Sequence, residues 1–141
     1  MKATELMIGD WVGRVFDDKR IDYRQVDWIR TGEIGMRYQK VWAIGCIEPI
    51  PLTTEILEKN GFYDRNTQWY YKRFGSYVCF DIAISLVYKD IEVSKVCGAG
   101  TDCEEVEYGS SIVFGNDICV HNLQHVLRLC GLDELADNFK I

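Results

Sequence analysis

Proline is scarce in this chain. Pro49 and Pro51 are the only two among 141 residues, and both fall in one short stretch. With 48% hydrophobic and 27% charged residues, the composition excludes a disordered tail, a collagen-like chain and a coiled coil. No apolar run approaches the roughly 18 residues of a membrane-crossing helix. The opening Met1–Glu5 lacks the apolar core of a signal peptide. A cytoplasmic protein with no membrane partner is therefore expected. Positive charge is also short, with 16 Lys and Arg against 22 Asp and Glu, a net charge of −6. Residues 1–50 balance at 8 and 8, so the excess lies wholly in residues 51–141. A deficit of this kind argues against binding to duplex DNA by general attraction, which needs clustered Lys and Arg, and leaves room for a local basic patch.

Motifs for common chemistries are missing too. There is no Gly-x-Ser-x-Gly, no Gly-x-x-x-x-Gly-Lys and no Gly-x-Gly-x-x-Gly after a strand. No cofactor and no catalytic residue is assigned. Histidine occurs only as His121 and His125.

Cysteine is not scarce: Cys46, Cys79, Cys97, Cys103, Cys119 and Cys130. Cys46, Cys79 and Cys130 sit among apolar neighbours, where a free thiol behaves as a small buried hydrophobe. Without a secretion signal, reduced thiols are expected. Cys97 and Cys103 bracket a glycine-containing loop, Gly98–Asp102, and leave a hairpin-tip disulfide open. Their spacing matches no zinc motif.

The length suits one domain or two small lobes sharing a core. Short β-favouring runs fill residues 1–50, with a turn at Thr31–Gly35 and the clearest strand at Lys40–Ile50. Gly45 marks a bulge or bend within it. These runs predict a small SH3-like antiparallel barrel. The Pro49–Leu52 stretch ends that lobe. Thr53 then caps a short helix over 54–60, Glu55 favours its first turn, and Gly61 stops it. Gly75–Ser76 between aromatic runs signals a hairpin. Further strands are predicted over Ile91–Val96, Cys103–Tyr108 and Ser111–Phe114. A helix over Ile118–Cys130, capped by Asn116 or Asp117, carries an apolar stripe of Cys119, Val120, Leu123, Val126, Leu127 and Cys130. The expected architecture is α+β. An SH3-like lobe (residues 1–50) precedes an α+β lobe (51–141) whose C-terminal helix packs on an antiparallel sheet, the two forming one compact unit.

Opposite the apolar stripe, His121, Gln124, His125 and Arg128 share about a 100° arc of the last helix. This polar face is a candidate partner surface. Two imidazoles one turn apart can also hold a metal ion, so His121 and His125 are ligands in an alternative reading as a metal-dependent hydrolase or nuclease. Asn122 stands where zinc proteases carry their glutamate, and Asp117, Asp81 or a cysteine would have to supply a third ligand. The plain reading is a polar face docked on the sheet or left in solvent. Trp69, Tyr71, Lys72 and Arg73 lie in an aromatic–basic run that could stack single-stranded bases and hold phosphates. Cross-strand aromatics in a half-buried hairpin explain the same run without a ligand. Asp102, Glu104, Glu105 and Glu107 form an acidic cluster without calcium-loop spacing. A solvated edge that discourages strand pairing accounts for it.

Three blocks carry a resemblance: Leu6–Val12, Pro49–Phe62 and Val120–Arg128. In this order they resemble a widespread family of small uncharacterised proteins of phages and mobile elements of gut anaerobic bacteria. They cover 7, 14 and 9 residues, and residues 63–115 take no part. The resemblance implies a cytoplasmic accessory protein and supplies no activity. Together these observations predict a non-enzymatic binding or adaptor protein, a monomer or homodimer, that acts through a protein partner.

Overall fold

The computed structural model describes residues 1–2, 5–38, 40–66 and 68–141. It is an α+β protein with two antiparallel sheets, of four and five strands, and few helices. The chain divides into two compact units. One joins Met1–Pro51 to Cys119–Phe139; the other comprises Leu52–Ile118 with Lys140–Ile141. Among the described residues, no helix is long and apolar enough to cross a membrane.

In the first unit, β1 (Trp11–Val15), β2 (Ile21–Arg30), β3 (Glu33–Met36) and β4 (Lys40–Ala43) lie in sequence order. The ten-residue β2 serves two partners. Ile21–Gln25 pairs with β1, and Val26–Arg30 pairs with β3 across a register shift between Val26 and Trp28. Such a shift bends the strand and increases its twist. Leu6, Val12, Val26, Ile34, Met36, Trp42 and Ile47 fill the concavity. No closed barrel forms among the described strands. Glu33–Gly35, expected in a turn, belongs to β3, and the turn is confined to Thr31–Gly32. The long strand expected over Lys40–Ile50 also stops early. At Ile44–Cys46 the chain winds into a single 3-10 turn, with Gly45 at its middle. It then returns to β1, where Gly13 and Glu48 exchange backbone hydrogen bonds of 3.0 and 2.8 Å.

Two helices complete this unit: α2 (Val120–Leu129) and α3 (Asp133–Asp137). Here the sequence expectation is corrected. The C-terminal helix joins the first sheet's unit, and its long-range side-chain hydrogen bonds run to Gly9, Asp10 and Trp11 rather than to the second sheet. Its cap is Cys119, not Asn116 or Asp117: the Cys119 amide donates to Asn122 Oδ1 at 2.8 Å. The third helical residue reaching back to the cap is a recurrent way to satisfy a helix start.

In the second unit, α1 (Thr54–Lys59) follows its predicted punctuation. Thr53 Oγ1 accepts from the Ile56 amide, Glu55 sits in the first turn, and Gly61 ends the helix at a φ of 80°. The sheet runs β5 (Tyr63–Asn66), β6 (Trp69–Gly75), β7 (Val78–Ser85), β8 (Asp90–Cys97) and β9 (Glu105–Val113), each antiparallel to the next. The sequence reading missed β5, and it divided β9 into two strands. Register fixes the faces, because directly paired residues lie on the same side. One face gathers Phe74, Ile82, Ile84, Ile91 and Val93 into a core, with Phe62 packed edge-on to Phe74. The other carries Tyr63, Tyr71, Arg73, Asp81, Ala83 and Glu92.

Candidate functional site

The polar arc of α2 turns inward. Its centre is Asp10, in the turn entering β1, with 0% of its surface exposed. Asp10 Oδ1 accepts from Arg128 Nη1 at 2.6 Å, and Oδ2 accepts from the Met7 amide at 2.8 Å. His125 Nε2 lies 2.7 Å from Oδ2, so this nitrogen carries the ring proton. Arg128 also reaches Asp137 Oδ1 at 3.0 Å. Burial works to lower the Arg128 pKa, and its hydrogen bonds to Asp10 and Asp137 outweigh that and raise it. Gly9 has a φ of 90°, and a Cβ there would meet Asp137 Oδ1 at 2.5 Å, so this close approach requires glycine.

Gln124 has no exposed surface at all. Its Oε1 accepts from the Trp11 amide at 2.9 Å, and its Nε2 donates to the carbonyls of Gly9 (3.1 Å) and Ala136 (2.7 Å). One side chain thus ties the start of β1 to α3. Gln25, from β2, adds donations to Gly9 and Asp137 carbonyls. Trp11 Nε1 donates to the Phe139 carbonyl at 2.8 Å. These contacts explain why a helix with so polar an arc is buried on both sides.

His121 is 7% exposed. Asn122 Oδ1 is occupied by the Cys119 amide, so Asn122 Nδ2 donates to His121 Nε2, 3.3 Å away. The ring proton therefore sits on Nδ1, a buried atom with no hydrogen-bond partner among the described residues. Burial lowers the His121 pKa below 6.5. Asp10 and Glu5 oppose that shift, and His125, whose ring centroid is 5.7 Å away, adds to it. As pH falls below 6.5 the unfolded chain takes up a proton that the folded chain resists, so stability is lost on acidification. A urea series from pH 7.5 to 5.5 should show the midpoint falling, with a slope of at most about 1.4 kcal/mol per pH unit from this one group. The carboxylates with depressed pKa values, Asp22, Asp81, Glu104 and Glu107, titrate below that window. His121→Phe should flatten the profile, and an unchanged slope would refute the assignment.

The structure does not assemble the metal reading. Among the described residues, no group of three or more His, Cys, Asp or Glu is placed to hold an ion. Asp81 and Asp117, offered as third ligands, belong to the second unit. Asp10, the residue that does meet His125, was not singled out from the sequence. Its only signal there was the turn pair Gly9–Asp10, which reads equally as loop chemistry.

The aromatic–basic run separates by strand parity. Trp69 lies at the end of β6, and Tyr71 and Arg73 lie on the open face. Lys72 points the other way: its Nζ donates to the Asn60 carbonyl at 2.6 Å and stands over the rings of Phe62 and Phe74. Burial, with Lys140 nearby, lowers its pKa. Arg73 is held by two carboxylates. Its Nε and Nη2 donate to Asp81 at 2.6 and 2.8 Å, and Nη1 and Nη2 to Glu104 at 3.3 and 3.1 Å. Those hydrogen bonds push the Arg73 pKa further up. Burial alone would raise the Asp81 pKa, but Arg73 and Tyr71 hold it below the usual range. Neither cation of the pair Lys72 and Arg73 stands ready for a phosphate.

The acidic cluster is likewise dispersed. Glu104 serves Arg73 and accepts from the Gly100 amide, Glu107 pairs with Lys95 at 2.8 Å, and Glu105 lies on exposed β9. None of the six cysteines, Cys97 and Cys103 included, is in a disulfide.

An open hollow remains on the second sheet. It measures about 330 Å³ and is lined by Arg65, Asn66, Trp69, Ala83 and Glu92. Tyr88 lies 6.2 Å from Trp69, Tyr63 lies 5.4 Å from Tyr71, and the Arg65 guanidinium covers Tyr71. Arg65 and Glu92 escaped the sequence reading because only strand pairing brings them together. A smaller hollow of about 230 Å³ in the first unit is lined by Trp11, Tyr23, Arg24, Gln25, Arg37 and Tyr38. No protein-family model, curated protein or solved structure matches the chain.

Proposed function

We propose that the chain is a non-enzymatic binding or adaptor protein that engages a protein partner through the open face of its second sheet. The observation that carries this reading is the hollow at Trp69. Its lining combines an aromatic ring, Trp69, with one guanidinium, Arg65, and one carboxylate, Glu92. Their charges cancel, so the site favours neither a polyanion nor a polycation. An amphipathic side chain from a folded or extended polypeptide fits it, with an apolar body against Trp69 and polar ends towards the two charges. A nucleic acid fits less well, since Lys72 and Arg73 are engaged elsewhere. The arc of His121, Gln124, His125 and Arg128 serves the interior of the first unit and leaves this role to the sheet.

The phage or mobile-element origin and the cytoplasmic setting rest on the three ordered sequence blocks and on thiols left reduced. An SH3-like reading of the first sheet is supported by its strand order, by the 3-10 turn after β4 and by the return of Glu48 to Gly13.

The test is capture of proteins from a bacterial lysate, followed by titration of the purified captive. Trp69→Ala should weaken binding by about 2 kcal/mol, or about 30-fold, as central aromatic anchors do. Glu92→Arg should weaken it as well, with both variants retaining the wild-type circular dichroism. Equal affinity for the three proteins would reject this face.

A further inference from the structure

We propose that the chain forms a homodimer by antiparallel pairing of β9 with β9 of a second copy, centred on Ser111. The two edges of the five-stranded sheet are built differently. At one edge, β5 has four residues, carries Asp64 and Arg65, and is interrupted by a register shift between Asp64 and Asn66. Short length, charge and a bulge are the features that keep an edge from pairing. At the other edge, β9 has nine residues, and among the described residues no strand pairs with its outer side. Its protective features are confined to its beginning, at Glu105, Glu107 and a register shift before Tyr108. From Tyr108 to Phe114 there is no charge, no proline and no shift.

The backbone of this stretch is divided by parity. Phe114 N donates to the Lys89 carbonyl at 2.8 Å, directly across the ladder. Hydrogen-bonded pairs alternate along an antiparallel ladder. Tyr108, Ser110 and Ile112 therefore turn their amides and carbonyls towards β8. Gly109, Ser111 and Val113 turn theirs outward, onto an edge without a strand.

The sequence of the stretch is complementary to itself. With Ser111 opposite Ser111, the outward groups of Gly109 meet those of Val113. That places a residue without a side chain against one that is 72% exposed. Ser110 falls opposite Ile112, and Tyr108 opposite Phe114. Aromatic pairs across strands are stabilising, and each Ser111 hydroxyl keeps its bond of 2.7 Å to Asp90 of its own chain. The arrangement pairs small with large twice and places no like charges opposite. Glu107 faces Gly115 of the other copy, clear of that copy's own Glu107. A general strand acceptor would need none of this self-matching, and for that reason the occupant is a second copy. The contact uses the sheet edge that adjoins the open face, since Ser111 pairs with Glu92 of the hollow at Trp69.

The experiment is sedimentation equilibrium of the full chain over a concentration series, with amide hydrogen exchange at both ends of the series. The mass should rise to twice 16.3 kDa. Protection of Gly109, Ser111 and Val113 should rise with it, while Tyr108, Ser110 and Ile112 stay protected throughout. Val113→Lys puts a charged side chain on each flank of the junction, the feature that keeps an edge from pairing, and leaves the backbone intact, so it should lose the dimer. Ser111→Pro should also lose it: of the backbone groups it removes only an outward amide, at a position where edge strands tolerate proline, and it gives up the exposed hydroxyl bond to Asp90. A chain that stays at 16.3 kDa throughout overturns the proposal, leaving the edge to a strand of another protein. So does a dimer that survives Val113→Lys, or one whose exchange protection does not alternate.

Discussion

Asp10→Ala will destabilise the first unit by about 3–5 kcal/mol, the range for breaking a buried ion pair from one side. The cost does not come from lost packing, since the side chain is small. It comes from what stays behind. Arg128 keeps its charge with 12% of its side chain exposed and only Asp137 to face. His125 loses the acceptor that orients its ring, and the Met7 amide loses its partner. Asp10→Asn should cost nearly as much, because an amide keeps the shape and gives up the charge that Arg128 needs. The matched double variant Asp10→Asn with Arg128→Met removes both charges and should recover part of the loss. Denaturant midpoints of wild type, Asp10→Asn, Arg128→Met and the double variant check this, and additive single-variant losses would show that the pair is not coupled.

Gln124→Leu carries the second large effect. The volumes are similar, so no large cavity accompanies the change. The Trp11 amide loses its partner inside the protein, while the Ala136 carbonyl keeps the Phe139 amide at 3.4 Å and the Gly9 carbonyl keeps Gln25 at 3.3 Å. One orphaned buried donor at about 1–3 kcal/mol and two lost hydrogen bonds at about 0.5–1.5 kcal/mol each give a loss of about 2–6 kcal/mol. Gln124→Glu distinguishes the donor from the acceptor. It keeps an oxygen for Trp11 but faces two carbonyls with a charge, so at neutral pH it should fall below Gln124→Leu. Acidification should then bring it partly back, because a protonated acid can donate to one of them. A Gln124→Leu protein as stable as wild type would mean that the Trp11 amide finds another partner.

Both expectations arise from residues whose surroundings only partly show in the sequence. Helix α1 was legible because its signals are local: Thr53 caps, Gly61 ends, and each acts within one turn. The Gly75–Ser76 hairpin and the apolar stripe Val120, Leu123, Val126 and Leu127 were legible for the same reason. The environment of the polar arc of α2 was not. Helical periodicity places His121, Gln124, His125 and Arg128 on one side but does not say what lies there. In most proteins such an arc meets water; here it meets the carbonyls of Gly9 and Ala136 and the carboxylate of Asp10. Those partners lie over a hundred residues away for Gly9 and Asp10, and a local pattern carries no such information. The same limit assigned the C-terminal helix to the wrong sheet and grouped Lys72 with Arg73. In that second case a period of two was in the sequence and separates them, since adjacent strand residues point to opposite faces. Strand β5 escaped because its four exposed residues alternate in nothing.

The first unit is discontinuous, Met1–Pro51 being completed by Cys119–Phe139. On the ribosome this imposes an order of events. The first strands emerge early, while the helix that supplies Gln124, His125 and Arg128 is made only after residues 52–118. At about 5–20 residues per second that delay is roughly 3–13 s. Throughout it, the Trp11 amide has no Gln124 and the Asp10 carboxylate has neither Arg128 nor His125, so both stay in water and the sheet that holds them cannot bury them. The second unit lacks only Lys140–Ile141 when residue 118 has appeared, so it is free to condense first. The end of the chain then closes a structure that its beginning started.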